Sequence, residues 1–332
     1  MSQTYLSSLQ QGLHEIFDQH PEVVLLGEDI VDPYGGAFKV SKGLSSKHPN
    51  RVLSTPISEA SFTGMATGMA IRGMRPIVEI MFGDFMTLCT DQIVNHISKF
   101  ANMYPGVQVP IVIRTPMGGG RGYGATHSQS LEKLFLGTPG IHIVAPSLFH
   151  SPAQMLAQAV LHDDTPVLFI ENKNLYPEKL MMTSTETLWV HECQEPNSFY
   201  PTMTVKNHQG SHDLAIISYG GCSVGISRVM HKLAEEEINI KAIFPGSLQP
   251  LPIQTLLAET QGIEKILLIE EGTQGFNWGS EVAALIHEHS PERKCIRRLA
   301  ALDALIPSAA QLENDIIVTR SEERRVGKEC LR

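Results

Sequence analysis

The stretch 58-SEASFTGMATGMAIRG-73 decides how the first half of this chain folds, because it predicts a helix built for close packing. Gly64 and Gly68 share one helix face, so they leave room there for another backbone. Glycine destabilises a helix interior, and a helix without a packing partner would not collect it. The helix starts with a carboxylate, Glu59, directly after Ser58. Taken alone, Glu59 either complements the positive end of the helix dipole beside its cap or serves a functional site.

Apolar runs of strand length alternate with helical patterns around this helix, which is typical of parallel sheets with crossover helices. We predict strands at 23–27, 52–54, 77–82, 111–114, 142–145, 167–170, 214–219, 240–244 and 265–269, and helices at 59–71, 85–100, 151–162, 226–237, 253–260 and 280–288. The polar stretch between the two series is interpreted as a linker. The expected fold class is α/β, with two doubly wound domains at 1–176 and 213–319 and a linker at 177–212.

The composition favours a globular enzyme subunit. A chain of 332 residues with 42% hydrophobic residues can bury the cores of two domains. No apolar run reaches the ~18 residues of a membrane span, and we expect neither a signal peptide nor a transit peptide, hence a cytoplasmic protein without a membrane partner. The five cysteines are scattered, which argues against a disulfide framework or a zinc site. A net charge of −9 argues against nucleic acid as a partner.

The last stretch, 320-RSEERRVGKECLR-332, abandons the apolar rhythm of the preceding chain. It reads like the translation of a sequencing adapter, so we expect an artefactual tail in place of the natural C-terminus. An ordinary charged tail is the alternative.

Several short motifs stand in a fixed order along the first half: LLGEDI at 25–30, GGAFKVSKGL at 35–44, RPIVEIMFGDF at 75–85 and ATHSQSLEKLF at 125–135. With these motifs the chain resembles the beta subunit of the decarboxylating component of 2-oxo acid dehydrogenase complexes, which depends on thiamine diphosphate and is related to transketolase. The resemblance runs from about residue 6 to about residue 312. It implies a transketolase-like pyrimidine-binding domain followed by a domain of the transketolase C-terminal type.

The resemblance implies a role for Glu59 in activating the cofactor. A carboxylate bonded to the pyrimidine ring nitrogen promotes the imino tautomer, which removes the proton from the thiazolium carbon. Ile57 and Met81 would line the pyrimidine pocket, and Phe85 would stack on the ring. Ordinary core packing is the alternative for these three side chains.

Two further site residues follow from the resemblance. His127, in THSQ after the glycine-rich stretch 118–124, would be an active-site histidine that handles the bound intermediate. Without the resemblance it would be interpreted as a residue at a helix start. Glu28 ends a predicted strand, where open α/β sheets expose ligand-facing groups, and it would support the cofactor at a subunit interface.

The anchoring motif for diphosphate and magnesium, which begins GDG in this superfamily, is missing; GDF at 83–85 is the nearest match. The resemblance therefore implies that an alpha subunit holds the diphosphate and magnesium in an α₂β₂ heterotetramer, and that the isolated chain is inactive. It also implies acyl transfer to the lipoyl group of an acyltransferase core. Pyruvate, branched-chain 2-oxo acids and acetoin-type substrates all stay open.

The family also holds a structural potassium ion, chiefly through backbone carbonyls. The matching positions are Ile111, Val160, Leu161, Asp163 and Thr165. Two positions depart from the family pattern: Pro252 replaces a usual Asp, and Trp278 stands in a normally small, glycine-rich stretch. These departures bear on docking to the acyltransferase.

Two other functions compete with this interpretation. GCSVG at 221–225 fits the G-x-S-x-G elbow of serine hydrolases, with Ser223 as the nucleophile. Such an enzyme also needs an acid and then a histidine, in that order, after the serine. His287 and His289 precede Asp303 and Asp315, so the acid would have to be a glutamate that lies before these histidines. The second competitor is a non-catalytic scaffold subunit of such a complex.

Overall fold

The first half of the chain folds around a seven-stranded sheet in the computed structural model, which describes residues 3–193, 195 and 198–318. Its strands from this half run parallel to one another, and they are β1 (Val23–Gly27), β2 (Val52–Ser54), β3 (Arg75–Glu79), β4 (Val112–Met117), β5 (His142–Val144) and β6 (Val167–Asn172). The α-helices are α1 (Tyr5–Gln19), α2 (Leu44–Lys47), α3 (Glu59–Ile71), α4 (Ser98–Met103) and α5 (Pro152–Leu161). The tail expected at 320–332 lies outside the described residues and stays a prediction.

The second half contributes a six-stranded sheet. Its strands are β7 (Trp189–Cys193), β8 (Thr202–Lys206), β9 (Leu214–Ser218), β10 (Ile240–Pro245), β12 (Lys265–Thr273) and β13 (Cys295–Ala301), while β11 (Ser247–Gln249) joins the edge of the first sheet. The helices are α6 (Cys222–Glu235), α7 (Ile253–Glu259), α8 (Trp278–His289) and α9 (Ala310–Asn314). The strand orders are β11-β5-β6-β4-β3-β1-β2 and β13-β12-β9-β10-β8-β7.

The stretch 177–212 is more than the linker expected from its sequence. It contains β7 and β8, which pair antiparallel with each other, and β8 pairs antiparallel with β10. Thr202 and Thr204 of β8 are fully buried, so the strand has no continuous apolar run that would reveal it. Both sheets are therefore mixed, whereas the sequence pattern suggested parallel ones.

The helix predicted at 85–100 is also different. The chain forms a 3₁₀-helix at Gly83–Cys89, a π-helix at Gln92–Ile97 and then α4. The Thr90 hydroxyl donates to the carbonyl of Met86, and the Ser98 hydroxyl donates to that of Val94 at 2.7 Å. Such side-chain bonds to the carbonyl four residues earlier bend helices, which accounts for the irregular path.

Helix α3 has the ends that the sequence predicts. Glu59, Phe62, Ala66 and Ala70 are among its buried residues, at the spacing of one helix face. The other face carries Gly64 and Gly68, which are both exposed. No atom lies within 4 Å of a Cβ built on either glycine. The groove that these glycines open therefore faces outward, and nothing in the described part of the chain fills it.

The core consists of two hydrophobic layers that continue from one sheet to the other. Leu25 of β1 and Ile216 of β9 belong to one layer, while Leu26 and Ile217 belong to the other, because side chains alternate across a strand. Trp278, noted above as a departure, is buried at the start of α8 with its ring 5.1 Å from that of Tyr219. None of the helices in the described residues is long and apolar enough to cross a membrane.

A buried ionic network joins the central strands. Arg114 of β4 is 1% exposed and forms an ion pair with Glu79 of β3. Its Nε and Nη2 atoms donate to the carboxylate of Glu171 of β6, each at 2.7 Å. Burial alone would lower the pKa of Arg114, but the charges of Glu171 and Glu79 raise it above its ordinary value. The network ties three neighbouring strands together just below the ends that carry the candidate site.

Candidate active site

The predicted site residues gather at one edge of the first sheet. Glu28 follows β1, Met81 and Phe85 follow β3, and the segment after β4 leads to His127. These strands are parallel neighbours, so their carboxyl ends lie side by side. This is the edge at which open α/β sheets bind ligands.

Two carboxylates lie buried together at this edge. Glu59 is 4% exposed and Glu28 is 8% exposed. Burial, and next the negative charge of Glu59, raises the pKa of Glu28 above its ordinary value. Oε1 of Glu28 has no hydrogen-bond partner, and none of the described residues forms a hydrogen bond or an ion pair with Glu59. Buried carboxylates without donors are rare in folded proteins, which makes this pair a candidate ligand-binding feature.

The structure does not support a purely local role for Glu59 as part of a cap. The hydroxyl of Ser58 donates to Ser61 Oγ at 2.8 Å and makes no capping hydrogen bond to the helix backbone. Glu59 still lies in the first turn, where a negative charge is favourable. Its side chain, however, points into the interior beside Glu28 and Cys89, whose thiol pKa is raised to about 12, chiefly by burial.

An aromatic cluster stands beside the carboxylates. The His127 ring contacts Phe85 edge to face, with centroids 5.2 Å apart. It also contacts Phe82 edge to face, with ring centroids 4.8 Å apart. The Phe82 ring in turn contacts the Tyr123 ring, with centroids 5.9 Å apart. The structure therefore brings His127 and Phe85 together, and it adds Phe82, which the sequence reasoning missed although it adjoins Met81 in the same motif.

Lys173 is a second residue that the sequence reasoning missed. It is fully buried, and its Nζ donates to the backbone carbonyl of His127 at 2.5 Å. Nζ also lies 5.2 Å from the centroid of the Phe82 ring. Burial lowers the pKa of Lys173 to about 8. Its position directly after β6, at the same sheet edge, was the signal that could have revealed it.

The three residues expected to line the pyrimidine pocket differ in their exposure to solvent. Met81 and Phe85 are half-buried, whereas the side chain of Ile57 is 83% exposed. An exposed isoleucine lines no closed pocket within this chain. Ile57 therefore lies at the open side of the site.

Two of the carbonyls expected to bind potassium already accept hydrogen bonds within the chain. The carbonyl of Val160 accepts a hydrogen bond from Arg75 Nη1 at 2.9 Å, and that of Ile111 accepts one from the Val167 amide at 2.9 Å. A guanidinium thus supplies the positive charge at Val160. Within the described residues no cluster of three or more His, Cys, Asp or Glu could hold a metal ion. The potassium site stays a prediction, and no step below uses that ion.

Ser223 does not have the surroundings of a nucleophile. It lies in the first turn of α6, shortly after β9, and it is fully buried. Its hydroxyl donates to the Gly220 carbonyl at 2.6 Å and accepts from the Leu148 amide at 3.0 Å. No histidine in the described residues bonds to it. The serine hydrolase interpretation is therefore wrong, because both bonds of the hydroxyl serve the backbone and no substrate can reach it.

Comparison with known proteins agrees with this arrangement. Residues 2–179 match the family "Transketolase, pyrimidine binding domain", and residues 204–322 match "Transketolase, C-terminal domain". A solved structure described as "Split gene transketolase, inactive beta4 tetramer" has a similar fold, with a TM-score of 0.75 and 18% identity over 98% of this chain and 97% of that one. The class is therefore that of transketolase-like α/β proteins.

Curated relatives narrow the class. The acetoin:2,6-dichlorophenolindophenol oxidoreductase subunit beta of Cupriavidus necator is 34% identical over 299 residues, which cover 85% of this chain and 84% of the relative. The pyruvate dehydrogenase E1 component subunit beta of Leifsonia xyli is 34% identical over 309 residues, covering 92% and 88%. A mitochondrial pyruvate dehydrogenase E1 subunit beta-1 of Oryza sativa is 33% identical over 314 residues, covering 93% and 82%. The chain belongs to the family of beta subunits of 2-oxo acid dehydrogenases, as its motifs predict, and this membership favours an enzyme subunit over a scaffold.

Proposed function

We propose that this chain completes a thiamine diphosphate site with an alpha subunit, and that the assembly decarboxylates a 2-oxo acid and passes the acyl group to a lipoyl acyltransferase. The observation that carries the proposal is the buried pair of Glu28 and Glu59, which lack donors of their own at the ligand-binding edge of the sheet. The family membership favours the same chemistry.

The residues at this edge fit the pyrimidine half of the cofactor. When bound, thiamine diphosphate supplies an electron sink for the carbon–carbon bond cleavage. Glu59 would accept a hydrogen bond from a nitrogen of the pyrimidine ring and hold a proton there, and its burial would strengthen that bond. Glu28, whose pKa is raised, retains a proton at a higher pH than a free glutamate and relieves repulsion within the pair. Phe85 offers a flat apolar face, and His127 holds or donates a proton beside it.

The open side of the site supports a partner subunit. Ile57 is exposed at the site, and the glycine face of α3 is unoccupied in the described chain. The sequence also lacks the GDG motif for diphosphate and magnesium. An alpha subunit that covers this side and anchors the diphosphate gives two sites in an α₂β₂ heterotetramer. The named relatives act on pyruvate or acetoin, and substrates of both kinds, with branched-chain 2-oxo acids, remain candidates.

Two expectations lie outside this proposal. Potassium is left out, because Arg75 and a strand amide already use two of the expected carbonyls. The cytoplasmic location stays a prediction, and the relatives include mitochondrial and chloroplast proteins.

The test is co-expression of the chain with the alpha subunit encoded beside it, followed by assays of thiamine diphosphate binding and 2-oxo acid decarboxylation. Wild type is compared with Glu59→Gln and with Glu281→Gln, which removes an exposed carboxylate from the first turn of α8. We expect activity only in the mixed assembly, a fall of about 10²–10⁴-fold in Glu59→Gln, and no change in Glu281→Gln. If Glu59→Gln behaves like Glu281→Gln, Glu59 is only a helix-start residue and the catalytic assignment fails.

A further inference from the structure

The glycine-rich loop before His127 is held by a residue from the other end of the chain. The amide of Gly120 donates to Oε1 of Glu313 at 2.8 Å, and the amide of Gly122 donates to Oε2 at 2.8 Å. Glu313 lies in α9 and is 1% exposed. The carboxylate therefore binds the loop with both oxygens, in charge-assisted hydrogen bonds that are stronger than neutral ones.

The loop conformation makes these bonds possible. Gly120 and Gly122 have φ values of +86° and +69°, which other residues rarely adopt, and this turns both amides toward Glu313. A Cβ at Gly124 would lie 2.7 Å from Ser308 Oγ. The segment that contains α9 thus packs directly on the loop, and the glycines are needed for this close approach.

The opposite side of the loop is held by residues that follow β6. Lys173 Nζ donates to the His127 carbonyl at 2.5 Å, and Asn174 Nδ2 donates to the Gly119 carbonyl at 2.8 Å. The loop is therefore clamped between the first sheet and α9. The ring of His127, which meets Phe82 and Phe85, lies at the end of this clamped segment.

We propose that Glu313 is a positioning residue for the reaction: its two hydrogen bonds hold the loop 118–124 in place and thereby keep His127 against Phe82 and Phe85. The second domain then acts on the active site through the loop, in addition to any role in assembly. The consequence for turnover rests on the proposed function, whereas the holding of the loop does not.

The first experiment measures amide hydrogen exchange of the full chain by mass spectrometry with site-level fragmentation across 118–127. Glu313→Ala removes both acceptors, and we expect protection of the Gly120 and Gly122 amides to fall by at least ~10-fold, as two charge-assisted bonds are lost. Glu313→Gln keeps one amide oxygen, so a smaller fall is expected. Glu292→Gln is the control, because Glu292 also accepts from a glycine amide, that of Gly262, at an exposed position. Its other partner, Lys294, still donates to the carbonyls of Thr260 and Ile263 in this variant.

The second experiment measures kcat and KM of the same variants in the mixed assembly. A positioning role predicts that kcat falls in Glu313→Gln and falls further in Glu313→Ala, with a smaller change in KM. Glu292→Gln should match wild type. Wild-type protection of the loop in both Glu313 variants would overturn the proposal, and so would a loosened loop with unchanged kcat.

The two experiments keep the proposals apart. An inactive wild-type assembly would defeat the proposed function, while the exchange data would still decide whether Glu313 holds the loop. If Glu313→Ala fails to fold, the nearly isosteric Glu313→Gln decides the outcome, because it keeps the shape of the side chain and changes only its charge and acceptors.

Discussion

The ring of His127 lies edge to face against the ring of Phe82, with centroids 4.8 Å apart and 79° between the ring planes. The contact joins the end of β3 to the loop after β4, two segments that no local pattern links. Phe82 thereby becomes a site residue, since it limits where the imidazole can lie.

Phe82→Leu tests this contact. An edge-to-face pair contributes about 0.5–1.5 kcal/mol, so we expect kcat of the mixed assembly to fall by about 2–10-fold. Phe100→Leu is the control, because Phe100 makes a similar edge contact with His96 at 5.7 Å, away from the site. Equal activity in the two variants would show that Phe82 packs against His127 without orienting it.

Glu28→Gln is expected to stabilise the cofactor-free chain at neutral pH. The folded pKa of Glu28 is raised, so the protein is more stable below the unfolded pKa of 4.5, and this contribution is lost as the pH rises through the folded value. The variant never ionises and escapes that loss. Thermal unfolding should give a higher Tm than wild type at pH 8, and a difference that shrinks toward pH 4.

Exposed Glu186 supplies the control for this experiment, as Glu186→Gln changes the net charge equally. An equal rise of Tm in both variants would assign the effect to net charge rather than to the buried pair. If Glu28→Gln binds thiamine diphosphate more weakly and the control variant does not, the result would support the role proposed for Glu28 at the cofactor.

Arg114→Met is expected to be strongly destabilising. It leaves the carboxylates of Glu79 and Glu171 buried without their partner, which typically costs about 3–5 kcal/mol. Arg228→Met breaks an exposed pair with Glu178 and should cost only about 0–1 kcal/mol. Urea unfolding of both variants measures the two costs, and similar values would contradict the importance of the buried network.

Glu270 provides a pH-dependent contribution to stability. Burial raises its pKa to about 7, and the Gly279 amide donates to its carboxylate at 2.9 Å. Because the pKa is raised in the folded state, the contribution of Glu270 to the free energy of unfolding is complete below pH 4.5 and disappears as the pH rises through about 7. A shift of this size corresponds to at most about 3 kcal/mol.

Glu270→Gln should therefore flatten the fall in unfolding free energy between pH 4.5 and 7, since the amide still accepts from Gly279 and never ionises. Urea unfolding at several pH values measures the slope, and Glu264→Gln, which changes an exposed carboxylate, should keep the wild-type slope. An unchanged slope in Glu270→Gln would show that Glu270 is ionised throughout this range.

The regular parts of the fold were predictable from the sequence. Strands β1 and β2 and helix α3 have the predicted ends, because their apolar periodicity is local and unbroken. The strand β8 was missed, since two of its buried residues are threonines. The irregular path at 83–103 was missed because side-chain hydroxyls, rather than propensities, bend it.

The sequence by itself determined the α/β class, the family and the candidacy of Glu59, Glu28, Phe85 and His127, because short motifs and periodicity carry that information. Only the tertiary structure decided that Glu28 and Glu59 are buried close enough to interact electrostatically, and that Ser223 is fully buried. It also decided that Glu313 reaches the loop before His127. Each of these contacts joins residues far apart in the chain, and only folding brings them together.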